Sequence, residues 1–457
     1  MPIHIFLRSL IHVAQIAFVL FALSITVSAK PLGEPIEIEG ITKLKHFFAK
    51  LQAREDGIGR VRITHIGDSH IIADFWTGIM RSKLQKRFGA GGRGFVLSGR
   101  AWRSFSQKQV YHRTNGDWVK SSLKRGQDDG WFGIGGQYLE SDNPLDSTEI
   151  YTKEEDNSGR FDTLNIYTLG SPSSGSLACL VDGRVHRVQK SFSPWLKVLK
   201  HTVHLNDEAH HVELRPQGDG SIRLFGLDLL RSEGGLIYDA IGLNGAQLKH
   251  LLRNEGAALR EGLGQLKPDL VILSYGINEL FDRDWNADEY AQELELTLSQ
   301  LRGKLDFECL ITGPFAALKG GRTVKDMPRM YALQRAAAER HHCAFWDANL
   351  AMGGEIKSWQ RRKYARNDGV HLSWRGYLRI AELFEASLMK AYEASRALLQ
   401  SNRALSVQRM NTVEVDQPLD QTLPNSQLRK VINKKQHIST SVKSVRSRGD
   451  GVSSTAH

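Results

Sequence analysis

The stretch ITHIGDSH, residues 63–70, decides the fold expected for this chain. Its first residues are mostly β-branched and end at Gly67, which is typical of a strand that runs into a tight turn. Apolar residues then recur with helical spacing, so the turn joins a strand to a helix. A serine at such a junction lies at the carboxyl end of a parallel strand, where open α/β sheets bind ligands and a helix N-terminus favours an oxyanion. The structural alternative is an ordinary turn in which Ser69 caps the helix.

Strand and helix patterns alternate again between residues 233 and 399. Residues 269–274 form a nearly continuous apolar run, as expected of a strand that is buried on both faces. Alternation of this kind predicts a parallel, doubly wound sheet and an α/β fold class. We therefore assign residues 30–95 and 233–399 to the two parts of one α/β domain.

Residues 96–232 differ in character from both of these parts. They contain short runs of alternating polarity, separated by clusters of Ser, Gly, Asp and Pro. Several short strands with turn signals between them are typical of a β-sandwich. The sequence thus predicts a β-sandwich domain inserted between the two parts of the α/β domain.

Both ends of the chain are expected to lie outside these domains. Residues 1–29 carry an apolar run followed by Val27-Ser28-Ala29, the pattern of a signal peptide, with an uncleaved inner-membrane anchor as the alternative. Either reading places the protein in the periplasm or outside the cell. Residues 400–457 are poor in large apolar residues and rich in Lys and Arg, which predicts a basic disordered tail. Nucleic acid is not an expected partner of an exported protein, whereas association with a membrane or cell wall through either end is a hypothesis.

Acyl transfer by a serine needs a base, a group that orients the base, and donors for the oxyanion. His371 is the candidate base, and Asp368 lies three residues before it, within reach of the imidazole in a tight loop. Asn278 and Gly245 follow two further predicted strands and are candidate oxyanion donors. Ordinary turn and capping chemistry is the alternative for each position alone. All of them fall at one rim of the predicted sheet, and no G-x-S-x-G elbow surrounds Ser69.

These blocks resemble the SGNH, or GDSL-type, hydrolases. The matching blocks are Gly67-Asp68-Ser69, Gly245, Gly276-Ile277-Asn278 and Asp368-Gly369-Val370-His371. The resemblance implies a flavodoxin-like three-layer α/β/α sandwich. It also implies that Ser69 is the nucleophile, His371 the general base and Asp368 its orienting partner. The backbone N–H groups of Ser69 and Gly245 and the side chain of Asn278 would form the oxyanion hole. Gly242 competes with Gly245 for the second block, and Gly245 is preferred because it opens the following helix.

A finer resemblance points to the exported peptidoglycan O-acetylesterases of Gram-negative bacteria. It is carried by residues 67–70, 274–279, 346–347, 351–354 and 371–373, by Gly376-Tyr377, and by the place of the insertion, which is carbohydrate-binding-like in that group. The resemblance implies a serine esterase that removes O-acetyl groups from cell-wall glycan through an acyl-enzyme. Separately, a monomer is expected. An O-acetyltransferase or an esterase of another acetylated polysaccharide is an alternative. A glycan-binding protein with an inactive site is a further alternative.

No cofactor or metal is predicted from the remaining motifs. The pairs His210-His211 and His341-His342 lack partners at ligand spacing. The glycines of residues 89–94 follow a helix, whereas a dinucleotide-binding loop opens one. Cys309 and Cys343 lie in two apolar segments that could be neighbouring strands. One disulfide or, together with Cys179, three buried thiols are both compatible with the sequence.

Overall fold

The computed structural model describes residues 32–100, 105–125, 129–153, 159–303 and 305–413. Its centre is a parallel sheet with the strand order β13–β1–β14–β15–β18. These strands are β1 (Arg60–Gly67), β13 (Gly235–Gly242), β14 (Leu270–Ser274), β15 (Glu308–Thr312) and β18 (Ala344–Trp346). The first strand of the chain is therefore internal, and its carboxyl end is flanked by those of β13 and β14.

Helices cover both faces of this sheet. A 3₁₀ turn at Ile41–Leu44 precedes the helices α1 (Lys45–Glu55), α2 (Ser69–Ile72), α3 (Trp76–Phe88), α4 (Leu248–Leu251), α5 (Gly256–Leu266), α6 (Ile277–Phe281), α7 (Ala287–Arg302), α8 (Met327–Arg340), α9 (Ala348–Ala351), α10 (Ile356–Arg361) and α11 (Trp374–Val413). One apolar core joins α1, α3 and α11 to one face of the sheet. A second core joins α5, α7 and α8 to the other. The expected three-layer α/β/α arrangement is confirmed.

Two antiparallel sheets stand between the first strand–helix unit and the rest of the α/β domain. The larger sheet contains β2 (Gly94–Val96), β4 (Val119–Ser122), β5 (Gln137–Ser141), β7 (Phe161–Gly170), β10 (Lys197–Glu208) and β12 (Ile222–Leu230). The smaller contains β3 (Val110–Asn115), β6 (Ser147–Thr152), β8 (Ser176–Val181), β9 (Arg184–Lys190) and β11 (His211–Pro216). Apolar residues of both sheets form one buried core, as in a sandwich. A short hairpin, β16 (Leu318–Lys319) and β17 (Arg322–Thr323), lies outside these sheets.

A buried ion-pair cluster joins the inserted sheets to the central sheet. The Arg62 guanidinium in β1 donates to Asp228 of β12 at 2.8 and 2.9 Å and to Asp239 of β13 at 2.8 and 2.9 Å. All three side chains are buried. Buried charges of this kind persist only when they are paired and hydrogen-bonded. The cluster therefore ties the inserted sheets to the first strand of the α/β domain.

Cys309 and Cys343 form a disulfide, with their Cα atoms 4.6 Å apart. The register of β15 and β18 explains the pairing, because Leu310 pairs with Ala344 and the two cysteines directly precede these residues. Cys179 is a buried free thiol. Of the two arrangements compatible with the sequence, the structure contains the single bridge.

The last helix, α11, continues to Val413, beyond the residue 399 at which the sequence analysis ended it. The expectation of disorder from residue 400 onward is therefore wrong for residues 400–413. These residues contain no Gly or Pro, so nothing in the local sequence stops the helix. The predicted signal peptide and the rest of the basic tail lie outside the described residues. None of the described helices is both long enough and apolar enough to cross a membrane.

Candidate active site

Ser69 begins α2 directly after the carboxyl end of β1. The turn needs a glycine at position 67, because a Cβ there would lie 2.5 Å from the Ile71 side chain and 2.6 Å from the Ser274 carbonyl oxygen. Asp68 caps the short helix, and its Oδ1 accepts a hydrogen bond of 2.9 Å from the His70 N–H. The tight strand-to-helix turn thus holds Ser69 at the rim of the sheet.

A chain of hydrogen bonds joins Ser69 to Asp368 through His371. The Oγ of Ser69 lies 3.0 Å from Nε2 of His371, and Nδ1 of His371 lies 2.9 Å from Oδ2 of Asp368. A neutral imidazole carries one proton, and the carboxylate beside Nδ1 places the proton there. Nε2 is then free to accept a proton from the serine hydroxyl.

The loop between α10 and α11 holds the Asp368 carboxylate in place. Its Oδ1 accepts hydrogen bonds of 2.9 Å from the backbone N–H groups of both Val370 and His371. Burial acts to raise the pKa of Asp368, but these bonds and the His371 side chain outweigh it and hold the pKa below its ordinary value. Asp368 is therefore ionised at neutral pH and can stabilise a protonated His371.

Asn278 lies in α6, just after the end of β14. Its Nδ2 donates to Oδ2 of Asp68 at 3.2 Å and to the carbonyl oxygen of Ala246 at 2.9 Å. An amide nitrogen carries two hydrogens, so both have acceptors here. Asn278 is tied to the residue before the nucleophile candidate, and it would donate to an oxyanion by exchanging one of these bonds.

The two glycines that compete for the second block occupy different surroundings. Gly242 ends β13, and a Cβ there would lie 2.5 Å from the carbonyl oxygen of Gly67, so close strand packing explains it. Gly245 lies in the turn after β13, with a φ of +63° that favours glycine. The side chain of Lys124, from the turn after β4, lies beside Gly245. Its Nζ is 2.5 Å from the position that a Cβ on Gly245 would take.

Two further side chains, those of His70 and Tyr377, lie next to the pair Ser69–His371. The sequence analysis gave neither of them a role. His70 is buried, its Nδ1 lies 2.9 Å from the Tyr377 hydroxyl oxygen, and its ring centroid is 5.3 Å from that of His371. Burial, with a smaller electrostatic effect of the neighbouring His371, lowers the pKa of His70 to about 3. His70 is therefore neutral at physiological pH. Both residues stand in the quoted motifs, but their contact joins positions 307 residues apart and has no local signal.

Buried carboxyl groups lie behind the rim. Burial raises the pKa of Asp68 to about 6. Burial also raises the pKa of Glu279 to about 8, with Asp68 adding to the effect. Glu279 accepts hydrogen bonds from the N–H groups of Leu248 at 2.7 Å and Gly276 at 3.0 Å. It thereby connects the segments that follow β13 and β14, and it holds the start of α6, the helix that carries Asn278.

The histidine pairs considered as metal ligands bond to neighbouring side chains. Nδ1 of His210 lies 2.7 Å from Asp182, and Nε2 of His341 lies 2.6 Å from Glu295. Within the part of the chain that the structure describes, no group of three or more His, Cys, Asp or Glu side chains is arranged to hold a metal ion.

Comparisons with known proteins agree with this geometry. Residues 218–379 match the GDSL-like lipase/acylhydrolase family. The match includes Gly245, Asn278, Asp368 and His371 and begins after Ser69. No curated protein sequence matches the chain.

Among solved structures, the chain is similar to one described as "Peptidoglycan O-acetylesterase in action", with 27% identity and a TM-score of 0.66. The alignment covers 76% of this chain and 96% of that one. An acetyl xylan esterase matches with 19% identity and a TM-score of 0.28 over 33% of this chain and 80% of its own. A lipase/acylhydrolase from Enterococcus faecalis matches with 18% identity and a TM-score of 0.28 over 36% and 77%. The last two scores are too low to bear on function.

The family match, the similarity over three quarters of the chain and the α/β/α fold with its inserted sheets lead to one assignment. The chain resembles the SGNH hydrolases of the GDSL-like type and, among them, a peptidoglycan O-acetylesterase.

Proposed function

We propose that this esterase removes O-acetyl groups from cell-wall glycan, with peptidoglycan as its substrate. The observation that carries the proposal is the hydrogen-bonded chain Ser69–His371–Asp368 at the rim of the sheet. The similarity to a peptidoglycan O-acetylesterase supports the choice of substrate. A periplasmic or secreted location follows from the same substrate, since peptidoglycan lies outside the cytoplasm.

The proposed reaction has two halves. Ser69 Oγ attacks the acetyl carbonyl carbon while Nε2 of His371 takes the hydroxyl proton. The oxyanion accepts hydrogen bonds from the N–H groups of Ser69 and Gly245 and from the Asn278 amide. The carbon–oxygen bond to the sugar then breaks, and His371 returns the proton to the sugar oxygen.

The second half regenerates the serine. His371 takes a proton from a water molecule, whose oxygen attacks the acetyl-serine carbonyl carbon. The ester bond to Ser69 breaks, acetate leaves, and Oγ recovers its proton from His371. Asp368 stays ionised throughout and stabilises the imidazolium. No step requires a metal or an organic cofactor.

Acetate release from O-acetylated peptidoglycan tests the proposal, with acetylated xylan and acetylated alginate assayed alongside and Ser69→Ala as the control. We expect release from peptidoglycan that disappears in the variant. Release from acetylated xylan or alginate but not from peptidoglycan would support the serine mechanism and exclude peptidoglycan as the substrate. No release from any polymer, together with glycan binding by Ser69→Ala, would favour a binding protein with an inactive site.

A further inference from the structure

A cleft of about 400 Å³ opens where the inserted sheets meet the catalytic rim. One wall comes from β4, β5 and the turn after β4, and the other includes Leu243 and Asn244, which follow β13. Asn244 directly precedes Gly245, the candidate oxyanion donor. The cleft therefore borders the catalytic rim and has a volume in the range of small-molecule sites.

Lys124 extends from the inserted sheets to this rim. It stands in a tight turn closed by two backbone hydrogen bonds between Ser122 and Arg125, of 2.8 and 2.9 Å. Nζ of Lys124 donates to the carbonyl oxygen of Asn244 at 3.3 Å and lies above Gly245. The inserted domain thus places a positive charge beside the proposed oxyanion hole.

Leu123 fixes the position of this turn. Its side chain is buried in the core that also contains α4 and α5. Its N–H donates to the Gly136 carbonyl oxygen at 2.9 Å, and its own carbonyl oxygen accepts from Arg253 at 2.5 Å. Leu123 is thus fixed through both its side chain and its backbone. Because Lys124 is the next residue in the turn, the position of its backbone is restricted as well.

The cleft carries positive charge that no carboxylate of the described residues neutralises by an ion pair. Lys120, Lys124 and Arg125 line it, and no acidic side chain of the described residues forms an ion pair with any of them. The nearby carboxylates of Asp129 and Glu140 pair instead with Arg223, at 2.6 and 2.9 Å. A concave wall of one charge sign concentrates ligands of the opposite charge.

We propose that this cleft binds a carboxylate of the substrate glycan, so that the enzyme prefers acidic O-acetylated glycans over neutral ones. The inference rests on the proposed esterase function and specifies its substrate class. Lys124 and Lys120 pair with the carboxylate, while Gln137 and Asn244 offer polar groups to the neighbouring sugar. Peptidoglycan carries such carboxyl groups on its peptide substituents and on lactyl groups that bear no peptide, whereas xylan backbones are neutral.

The test compares kcat/KM for an acetylated polyuronate, alginate, with kcat/KM for acetylated xylan. The enzymes are the exported protein, Lys120→Ala/Lys124→Ala, Lys124→Arg and Lys190→Ala. Lys190 is an exposed lysine of β9 in the other inserted sheet and serves as the matched control. We expect the alginate-to-xylan ratio to fall about tenfold in the double variant, to be largely kept by Lys124→Arg, and to be unchanged in Lys190→Ala.

A second readout does not depend on turnover. In a Ser69→Ala background, binding of unacetylated alginate oligomers is measured with and without the two lysine substitutions, at low and high salt. We expect Kd to rise about tenfold in the substituted protein and the difference to shrink at high salt. An equal ratio and equal binding in both proteins would overturn the cleft proposal. Loss of Ser69-dependent acetate release from every ester would instead overturn the proposed function, and alginate binding would still decide the role of the cleft.

Discussion

The Oγ of Ser69 lies 3.0 Å from Nε2 of His371, although 302 positions separate the two residues in the chain. Ser69 follows the strand β1, and His371 stands in the loop before the last helix, so the parallel sheet and the packing of α11 bring them together. Around this contact lie the loop that carries Asp368, a hairpin that contacts this loop, and the helix α6, which carries Asn278. Each of these supports can be tested by a separate substitution.

Asp368→Asn is expected to lower kcat by about 10²–10⁴-fold, because the amide favours the wrong imidazole tautomer and no longer balances the charge on His371. Acetate release and release of nitrophenol from an acetyl ester measure the effect. Asp326→Asn is the control, since Asp326 is exposed and its side chain does not cap α8. A value of kcat in Asp368→Asn close to that of the control would exclude Asp368 from the mechanism.

Asn278→Ala is expected to lower kcat by about 100-fold, the usual effect of losing one oxyanion donor. The substitution also removes the bonds to Asp68 and Ala246, so the free energy of unfolding should fall by about 1 kcal/mol. Gln247→Ala separates the two effects, because Gln247 donates to the backbone oxygen of Asn278 at 3.0 Å without being an oxyanion donor candidate. Unchanged turnover in Asn278→Ala would remove this side chain from the mechanism.

Gly369→Ala is expected to reduce kcat through the position of His371. Gly369 has a φ of +74°, its carbonyl oxygen accepts from Leu318 at 2.8 Å, and an added Cβ would lie 3.0 Å from the Leu318 Cβ. Gly353→Ala is the matched control, because Gly353 also has a positive φ, +84°, but open space around it. Both variants should lose about 1–2 kcal/mol of stability, and only Gly369→Ala should lose activity at a temperature where both are folded. Equal activity in the two would show that the hairpin contact does not position the loop.

The carboxyl of Glu279 should make stability depend on pH. Its folded pKa of about 8 lies above the ordinary value of 4.5, so the folded protein binds the extra proton between these pH values. The contribution of Glu279 to the free energy of unfolding is therefore largest below pH 4.5 and declines as pH rises toward 8. Urea unfolding at several pH values from 5 to 9 measures how the free energy of unfolding depends on pH. We expect this free energy to decline less with rising pH in Glu279→Gln than in the native protein. The same decline in both proteins would assign the pH dependence to other groups.

The disulfide between Cys309 and Cys343 should stabilise the fold without contributing to catalysis. The bridge closes a loop with a sequence separation of 34 residues, for which chain entropy predicts a stabilisation of about 3–4 kcal/mol. A reductant should lower the thermal midpoint of the native protein and of Cys179→Ala, and it should not change that of Cys309→Ala/Cys343→Ala. Insensitivity of the native protein to reductant would contradict a stabilising bridge.

The sequence alone predicted those features that depend on local patterns. The residues of ITHIGDSH predicted a strand, a tight turn and a helix start, and the apolar run at 269–274 predicted a buried parallel strand. The change of periodicity between residues 96 and 232 predicted the inserted sheets. Periodicity and turn residues act over a few neighbours, so they can be read without knowing the partners of a segment. The candidate residues at strand ends followed from the same patterns and from the family resemblance.

Only the tertiary structure decided which of these residues touch and what surrounds them. The register of β15 and β18 paired the two cysteines, and the packing of α11 placed Tyr377 against His70. Packing also places the amide of Asn278 against Asp68, and it brings Lys124 from the inserted sheets to the rim. Such contacts depend on the packing and register of segments that are far apart in the chain, and no local pattern encodes these distances.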